Sequence, residues 1–263
     1  MIDNKKEWAL ITGASSGIGY ELAKVFARHG RNIVIVSRDE AKLKELKQEI
    51  EREYYVKLMM LPKDLADPRS PTEIFEELEK RGVNIQILVN NAGFSIYGMF
   101  SETDLQKELE IVQVNLSSLI HLTKLILPGM LKRRSGKILN VASMGAFHPG
   151  PYQSVYCATK AGVLSFSQAL SNELQGTGIT VTCLCPGVVK TEFHQRAGMQ
   201  SSKLMNEKMI DAGVMAEAGY RALMAEKVIA VPGFKFRLGS VVMGIIPRTM
   251  LTKIARSVVE PKC

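Results

Sequence analysis

Apolar residues in this chain fall into short uninterrupted runs, separated by longer stretches in which they recur every three or four positions. The runs at 8–12, 32–37, 56–61, 85–89, 136–142, 179–184 and 228–231 predict strands covered on both faces, because none keeps a strict apolar–polar alternation. The stretches at 17–29, 40–53, 68–81, 105–133, 152–175 and 204–225 predict helices. The fourth is long enough to imply two helices or a bend. Strand and helix alternate through most of the chain, which predicts an α/β fold: about seven parallel strands with helices on both faces. No internal repeat or linker divides 1–263, so it reads as one domain.

Composition narrows the class. The 263 residues are 46% hydrophobic and 23% charged, which excludes disordered and fibrous chains and leaves a soluble globular one. Cys157, Cys183, Cys185 and Cys263 lack disulfide-framework spacing, and Cys183 and Cys185 would share one face of a strand, so we expect reduced thiols. The opening run Met1–Glu7 is polar and holds no apolar stretch of signal length, which predicts a cytoplasmic protein. The uncharged run 238–246 is far shorter than the roughly 20 residues of a spanning helix, and no transmembrane segment is expected.

Net charge is +8, and +6 of it sits in 227–263. Within the tail at 232–263, Met250, Leu251, Ile254 and Val258 share one helical face from Pro247 onward, while Lys253 and Arg256 take the other. Two readings stay open. The tail permits docking on an anionic membrane surface, or it covers the core or a subunit interface with its basic side solvated. Nucleic-acid binding has no support, since the basic residues are not interleaved with an aromatic platform.

Four separated segments carry chemistry. Thr12-Gly13-Ala14-Ser15-Ser16-Gly17-Ile18-Gly19 follows the first strand and opens the first helix, where glycines admit a pyrophosphate to free N–H groups and the positive end of the helix dipole. Asn90-Asn91-Ala92-Gly93 follows the fourth strand, and Ser143 follows the fifth. Tyr156 and Lys160 lie four apart, on one helical face. An ammonium beside a phenol favours phenolate, so we expect a lowered Tyr156 pKa. Residues 13–17 also satisfy G-x-S-x-G, which raises a hydrolase with Ser15 as nucleophile and His148 or His194 as partner. Its position after the first strand argues against that class, because such an elbow borrows an oxyanion donor from an earlier strand.

With Asn115 and Pro186-Gly187, these motifs resemble the short-chain dehydrogenase/reductase family, in order and approximate spacing, from about residue 8 to 191. The resemblance implies a single Rossmann-type, doubly wound domain and hydride transfer between a nicotinamide and a carbonyl or secondary alcohol. It implies a catalytic set of Asn115, Ser143, Tyr156 and Lys160. Tyr156 would exchange the proton and Ser143 would hold the substrate oxygen. Lys160 would act on Tyr156 and on the nicotinamide ribose, and Asn115 would hold a proton-relaying water. Thr159 stands where a serine is commoner and keeps the hydroxyl.

By the same resemblance Gly13, Ser15, Ser16, Gly17, Ile18 and Gly19 take the pyrophosphate, and Asp64 and Leu65 lie beside the adenine. Asn91, Ala92 and Gly93 line the adenosine half, while Pro186, Gly187, Val189 and Thr191 embrace the nicotinamide with Tyr156 and Lys160. Ser37 and Arg38 end the second strand where an acid would select NAD, so NADP(H) is expected over NAD(H), with Asp39 able to blunt the preference. Phe94, Ser95, Met99, Met144, Phe147, Tyr152 and Val188, with a mobile lid at about 191–212 containing Gly198 and Met199, form a mostly apolar substrate wall. That wall suits a hydrophobic ketone or acyl substrate; fatty acyl, steroid and retinoid-like carbonyls stay open. A homodimer or homotetramer through 105–133 and 152–175 is expected. The competing class is an NADP-binding sensor or scaffold without turnover.

Overall fold

A computed structural model describes residues 7–261. Residues 1–6, which hold most of the polar N-terminal run, and Cys263 lie outside the described residues. The alternation resolves as β1 (Trp8–Thr12), α1 (Gly17–Arg28), β2 (Asn32–Ser37), α2 (Glu40–Glu53), β3 (Leu58–Pro62), α3 (Ser70–Lys80) and β4 (Ile85–Asn90). Then follow α4 (Leu105–Val112), α5 (Ser118–Arg133), β5 (Gly136–Val141), α6 (Ser154–Glu173) and β6 (Ile179–Leu184). The remainder is β7 (Val189–Lys190), α7 (Phe193–Arg196), β8 (Ile210–Asp211), α8 (Ala212–Met224), β9 (Ile229–Ala230), α9 (Phe234–Met243) and α10 (Arg248–Val259).

Seven strands form one parallel sheet in the order β3-β2-β1-β4-β5-β6-β9. Ala9 and Ile11 of β1 pack to one side, against Leu22 and Phe26 of α1, Leu43 and Leu46 of α2 and Met215 and Leu223 of α8. Leu10 packs to the other, with Ile74 of α3, Leu122 and Ile126 of α5 and Leu170 of α6. Period-two side-chain direction in strands that are buried throughout thus gives helices on both faces. Strand order reverses where β4 joins β1, and the loops after β1 and β4 open a crevice there.

The fourth helical stretch is broken, as its length implied: a π-helical turn at Gln113–Ser117 separates α4 from α5 and carries Asn115. By length and composition Leu105–Arg133 is also apolar enough to cross a membrane. Here α5 is a core helix, with Leu119, Leu122, Ile126 and Met130 buried against the sheet side.

Two boundaries depart from the sequence reading. The helix expected at 204–225 begins only at Ala212, because Ile210–Asp211 pairs in parallel with Val189–Lys190. Asp211 then caps α8, accepting from the backbone N–H of Gly213 and Val214. The tail holds two helices, not one, and α10 buries a different face from that expected: Leu251, Ala255 and Val259 are buried, whereas Met250, Ile254 and Val258 are exposed.

Candidate active site

One cavity of about 710 Å³ runs along the carboxyl ends of β1, β2, β4, β5 and β6 to the tail helices. Its first part is bounded by Gly13, Ser15, Ser16, Gly17 and Ile18. Gly13 has φ +68°, and a Cβ there would stand 2.7 Å from Ala92 Cα, so the turn cannot carry a side chain. Gly19 does not line the cavity. It lies beneath, where a Cβ would collide with the Gly13 carbonyl and Asn91. Asn91 fastens the two loops, its Nδ2 donating to the carbonyl oxygens of Thr12 and Gly13, at 2.9 and 3.2 Å. Ser16 precedes α1 without a side-chain cap, and the first turn holds no acid. The opening N–H groups of that helix therefore face the cavity without a competing carboxylate. This donor set, cradled by glycine, fits a dinucleotide pyrophosphate.

Ser15 Oγ is paired with Ser37 Oγ at 2.8 Å. His148 Nδ1 lies 2.9 Å from the Pro149 carbonyl, and His194 is a wall residue that burial holds below the ordinary histidine pKa. Neither histidine is Ser15's hydrogen-bond partner, so the hydrolase constellation is not assembled.

At the next stretch Ser37, Arg38, Asp64 and Leu65 line the wall. Arg38 is 72% exposed and its guanidinium stands 3.7 Å from Asp64. Asp39 is absent from the wall, because its carboxylate caps α2 by accepting from Lys42 N at 3.0 Å. The acid that could have opposed a phosphate is thus used elsewhere. Lys63, passed over in the sequence, also lines this stretch, with its ammonium 2.6 Å from Glu73. A lone lysine at a strand end carries no pattern; only the register of β3 beside β2 brings it to Arg38's side.

The third part holds Asn91, Ala92, Gly93, Ser143, Tyr156, Lys160, Pro186, Gly187, Val189 and Thr191. Strand β5 ends at Val141 and delivers Ser143, whose Oγ accepts from Gly145 N at 3.1 Å. Helix α6 places Tyr156 and Lys160 one turn apart, as their spacing predicted. The Tyr156 phenol is buried and lines the same stretch of wall as Ser143. Lys160 Nζ lies 5.8 Å from the Tyr156 ring centroid and donates to the Val141 carbonyl at 2.8 Å.

Electrostatics reverse one expectation. Burial pushes the Tyr156 phenol well above its ordinary value, against a smaller opposing effect of the nearby Ser143 hydroxyl. Burial also pushes Lys160 down to about 8. Both charged forms lose hydration in the same pocket, and at this distance the ammonium does not offset the phenolate's loss. Without cofactor the phenol is a protonated donor. Asn115 is fixed by its side chain. Its Oδ1 accepts from Phe94 N, and its Nδ2 donates to the Phe94 carbonyl and to Thr159 Oγ1, at 3.0, 3.0 and 3.2 Å. Both amide hydrogens are engaged, so the side chain clamps the loop after Gly93 and does not itself line the cavity.

At the far end the wall is Phe94, Ser95, Met144, Val188, Phe193, Met199 and Leu204, joined by Gln153, Phe236, Met243 and Val258, which sequence reading missed. Met99, Phe147 and Tyr152 are not in it. Met99 is exposed, Phe147 packs on the core beside Leu119, and Tyr152 stacks on Tyr97. The segment expected to form the lid makes these contacts: β7 and β8 pair at its ends, Tyr97 N donates to the Ala197 carbonyl, Ser202 Oγ donates to the Val259 carbonyl, and Lys203 pairs with Glu260.

Comparison with known proteins agrees with this geometry. A family model described as short chain dehydrogenase matches residues 7–201. A very-long-chain 3-oxoacyl-CoA reductase of Phaeosphaeria nodorum is 33% identical over 216 residues, which is 81% of this chain but only 63% of the fungal protein. A short-chain dehydrogenase from Sphingobium yanoikuyae, solved in complex with NADPH, superposes with a TM-score of 0.81 at 30% identity, covering 91% of this chain and 94% of that one. A bulky-bulky ketone specific alcohol dehydrogenase from Comamonas testosteroni does so with a TM-score of 0.77 at 28% identity, covering 91% and 93%.

Proposed function

Given that the chain belongs to the short-chain dehydrogenase/reductase family, oxidoreductases acting on CH–OH with NAD(P), we propose that it reduces a bulky hydrophobic ketone or 3-oxoacyl substrate, using NADPH in preference to NADH. The observation that carries this reading is the buried Tyr156 phenol, sharing its wall with Ser143 and Lys160 at the junction between a glycine-lined crevice and an apolar chamber. The nicotinamide supplies the hydride when bound. Tyr156 donates its proton to the substrate oxygen, and the Ser143 hydroxyl hydrogen-bonds that same oxygen. Lys160, held by the Val141 carbonyl, is placed to bind ribose hydroxyls and to return the proton to Tyr156.

NADPH preference rests on Arg38, an exposed guanidinium beside the crevice, with Asp39 withdrawn into its cap. The size and lining of the far chamber, with Phe94, Met144, Phe193, Phe236 and Val258, support an apolar substrate, and both the fungal reductase and the Comamonas enzyme act on carbonyls by their names. Assembly as a homodimer or homotetramer through α4, α5 and α6 is supported by Leu105, Leu109 and Ile120, which are exposed on the first two of these helices. Cys157, Cys183 and Cys185 are free thiols, the last two with Sγ atoms 3.9 Å apart, which supports a reducing, cytoplasmic setting.

The test is a screen of aliphatic, aryl and 3-oxoacyl ketones with NADPH and NADH, followed by the Tyr156→Phe variant. The reading expects turnover with NADPH, a loss of about 100- to 10,000-fold in kcat for the variant, and unchanged NADPH binding. A variant that keeps its turnover, or a wild-type protein that binds NADPH and turns over no carbonyl, overturns it in favour of a sensor.

A further inference from the structure

From the tail's surface we infer that helices α9 and α10 form a docking face for an anionic lipid bilayer. Helix α9 has no buried residue, although six of its ten positions are large apolar side chains. It touches the fold through Phe236 and Met243, which line the cavity. On the opposite side Phe234, Leu238, Val241 and Val242 recur at i, i+4, i+7 and i+8, all exposed, with Phe234 81% open to solvent. Lys235 and Arg237 flank that stripe on its two edges. Ile245, in the turn that follows, is 79% exposed.

Helix α10 repeats the arrangement. Leu251, Ala255 and Val259 face inward, while Met250 and Ile254 form an exposed stripe bordered by Lys253 on one edge and, on the other, by Val258, which also reaches the cavity wall. Eight of the eighteen large exposed hydrophobics among the described residues fall between Phe234 and Val258. From 234 to 259 there are five Lys or Arg and no acid. An apolar stripe edged by cations and free of carboxylates matches the boundary between lipid headgroups and acyl chains, where a short helix lies in the plane. Charge decides the occupant. A second copy of this chain would bring the same basic rim against itself, whereas anionic headgroups complement it.

The face is the outer side of helices whose inner sides wall the chamber, so docking would set the apolar end of the cavity against the bilayer. The docking claim itself does not depend on what the cavity catalyses.

The test is flotation of the purified full chain with vesicles of phosphatidylcholine alone and of phosphatidylcholine mixed with phosphatidylglycerol, without cofactor or substrate. The expected result is binding to the mixed vesicles that exceeds binding to the neutral ones and weakens with salt. The double variant Lys235→Glu, Arg237→Glu should lower that binding by at least about tenfold, and Phe234→Ser with Ile245→Ser should lower it likewise. None of these four residues lines the cavity, so NADPH binding measured on each variant reports an intact fold. No flotation with mixed vesicles, or equal binding to both kinds, overturns the inference. So does a solution assembly that breaks up on changing Phe234 and Ile245 without any vesicle binding, which would assign the face to a second copy. Loss of ketone turnover with vesicle binding retained would count against the reductase reading alone.

Discussion

Replacing Lys160 with methionine separates the cost of burying its charge from its service to the site. Burial moves the ammonium from 10.5 to about 8, which corresponds to about 3 kcal/mol against the charged form. Since the folded-state pKa lies below the unfolded one, the unfolded chain binds more protons between pH 8 and 10.5. Stability therefore rises with pH through that window, and the full penalty is present below about pH 8. The methionine variant has no such slope. Its advantage over the wild type should shrink by about 3 kcal/mol between about pH 7 and pH 10.5. The hydrogen bond to Val141 does not disturb this difference, because a neutral amine still donates; its loss, about 1–3 kcal/mol, offsets the variant equally at both pH values. Urea denaturation of both proteins without cofactor, followed by circular dichroism, reads the change as a relative midpoint shift of about 1 M. A difference that stays constant with pH to within about 0.5 kcal/mol would mean that Lys160 is hydrated in the native state and would refute the reasoning. Turnover should be lost in the same variant.

Arg38→Ala should lower kcat/KM for NADPH by about 10- to 100-fold and leave that for NADH within about twofold, checked by initial rates with each cofactor; equal losses with both would remove Arg38 from selection. Asp211→Ala removes the acceptor for two N–H groups at the start of α8 and should cost about 0.5–2 kcal/mol of stability, seen as a lower urea midpoint.

The inner strands of the main sheet were legible because each is a short apolar run buried on both faces, and that pattern has few other meanings; the edge strands β3 and β9 are only partly covered. The placing of Tyr156 and Lys160 one turn apart was legible because their spacing is helical and α6 is long. What escaped depends on partners distant in sequence. Leu204, Met205 and Met209 carry the apolar character of a helix, yet Ile210 and Asp211 are drawn into pairing with Val189 and Lys190, and that contest is settled in space. In α10 the apolar stripe is wider than the ground it covers, so periodicity marks the stripe without telling its buried half from its open half. Phe236 and Val258 entered the chamber wall for the same reason, since nothing local distinguishes them from their neighbours. The sequence also shows a cation near Tyr156 but not the depth of burial, and burial decides the direction of the phenol's pKa.

Phe236 rests its ring against Gly187, where even a single Cβ would stand 2.5 Å from Cζ. A tail side chain is therefore seated on the segment expected to embrace the nicotinamide, and neither can shift without the other being felt. Where two sites share such a contact, the factor by which one ligand alters affinity for the other is the same in both directions. Whatever grips the outer face of α9 should register as a changed dissociation constant for the dinucleotide, and saturating dinucleotide should change that grip by an equal factor.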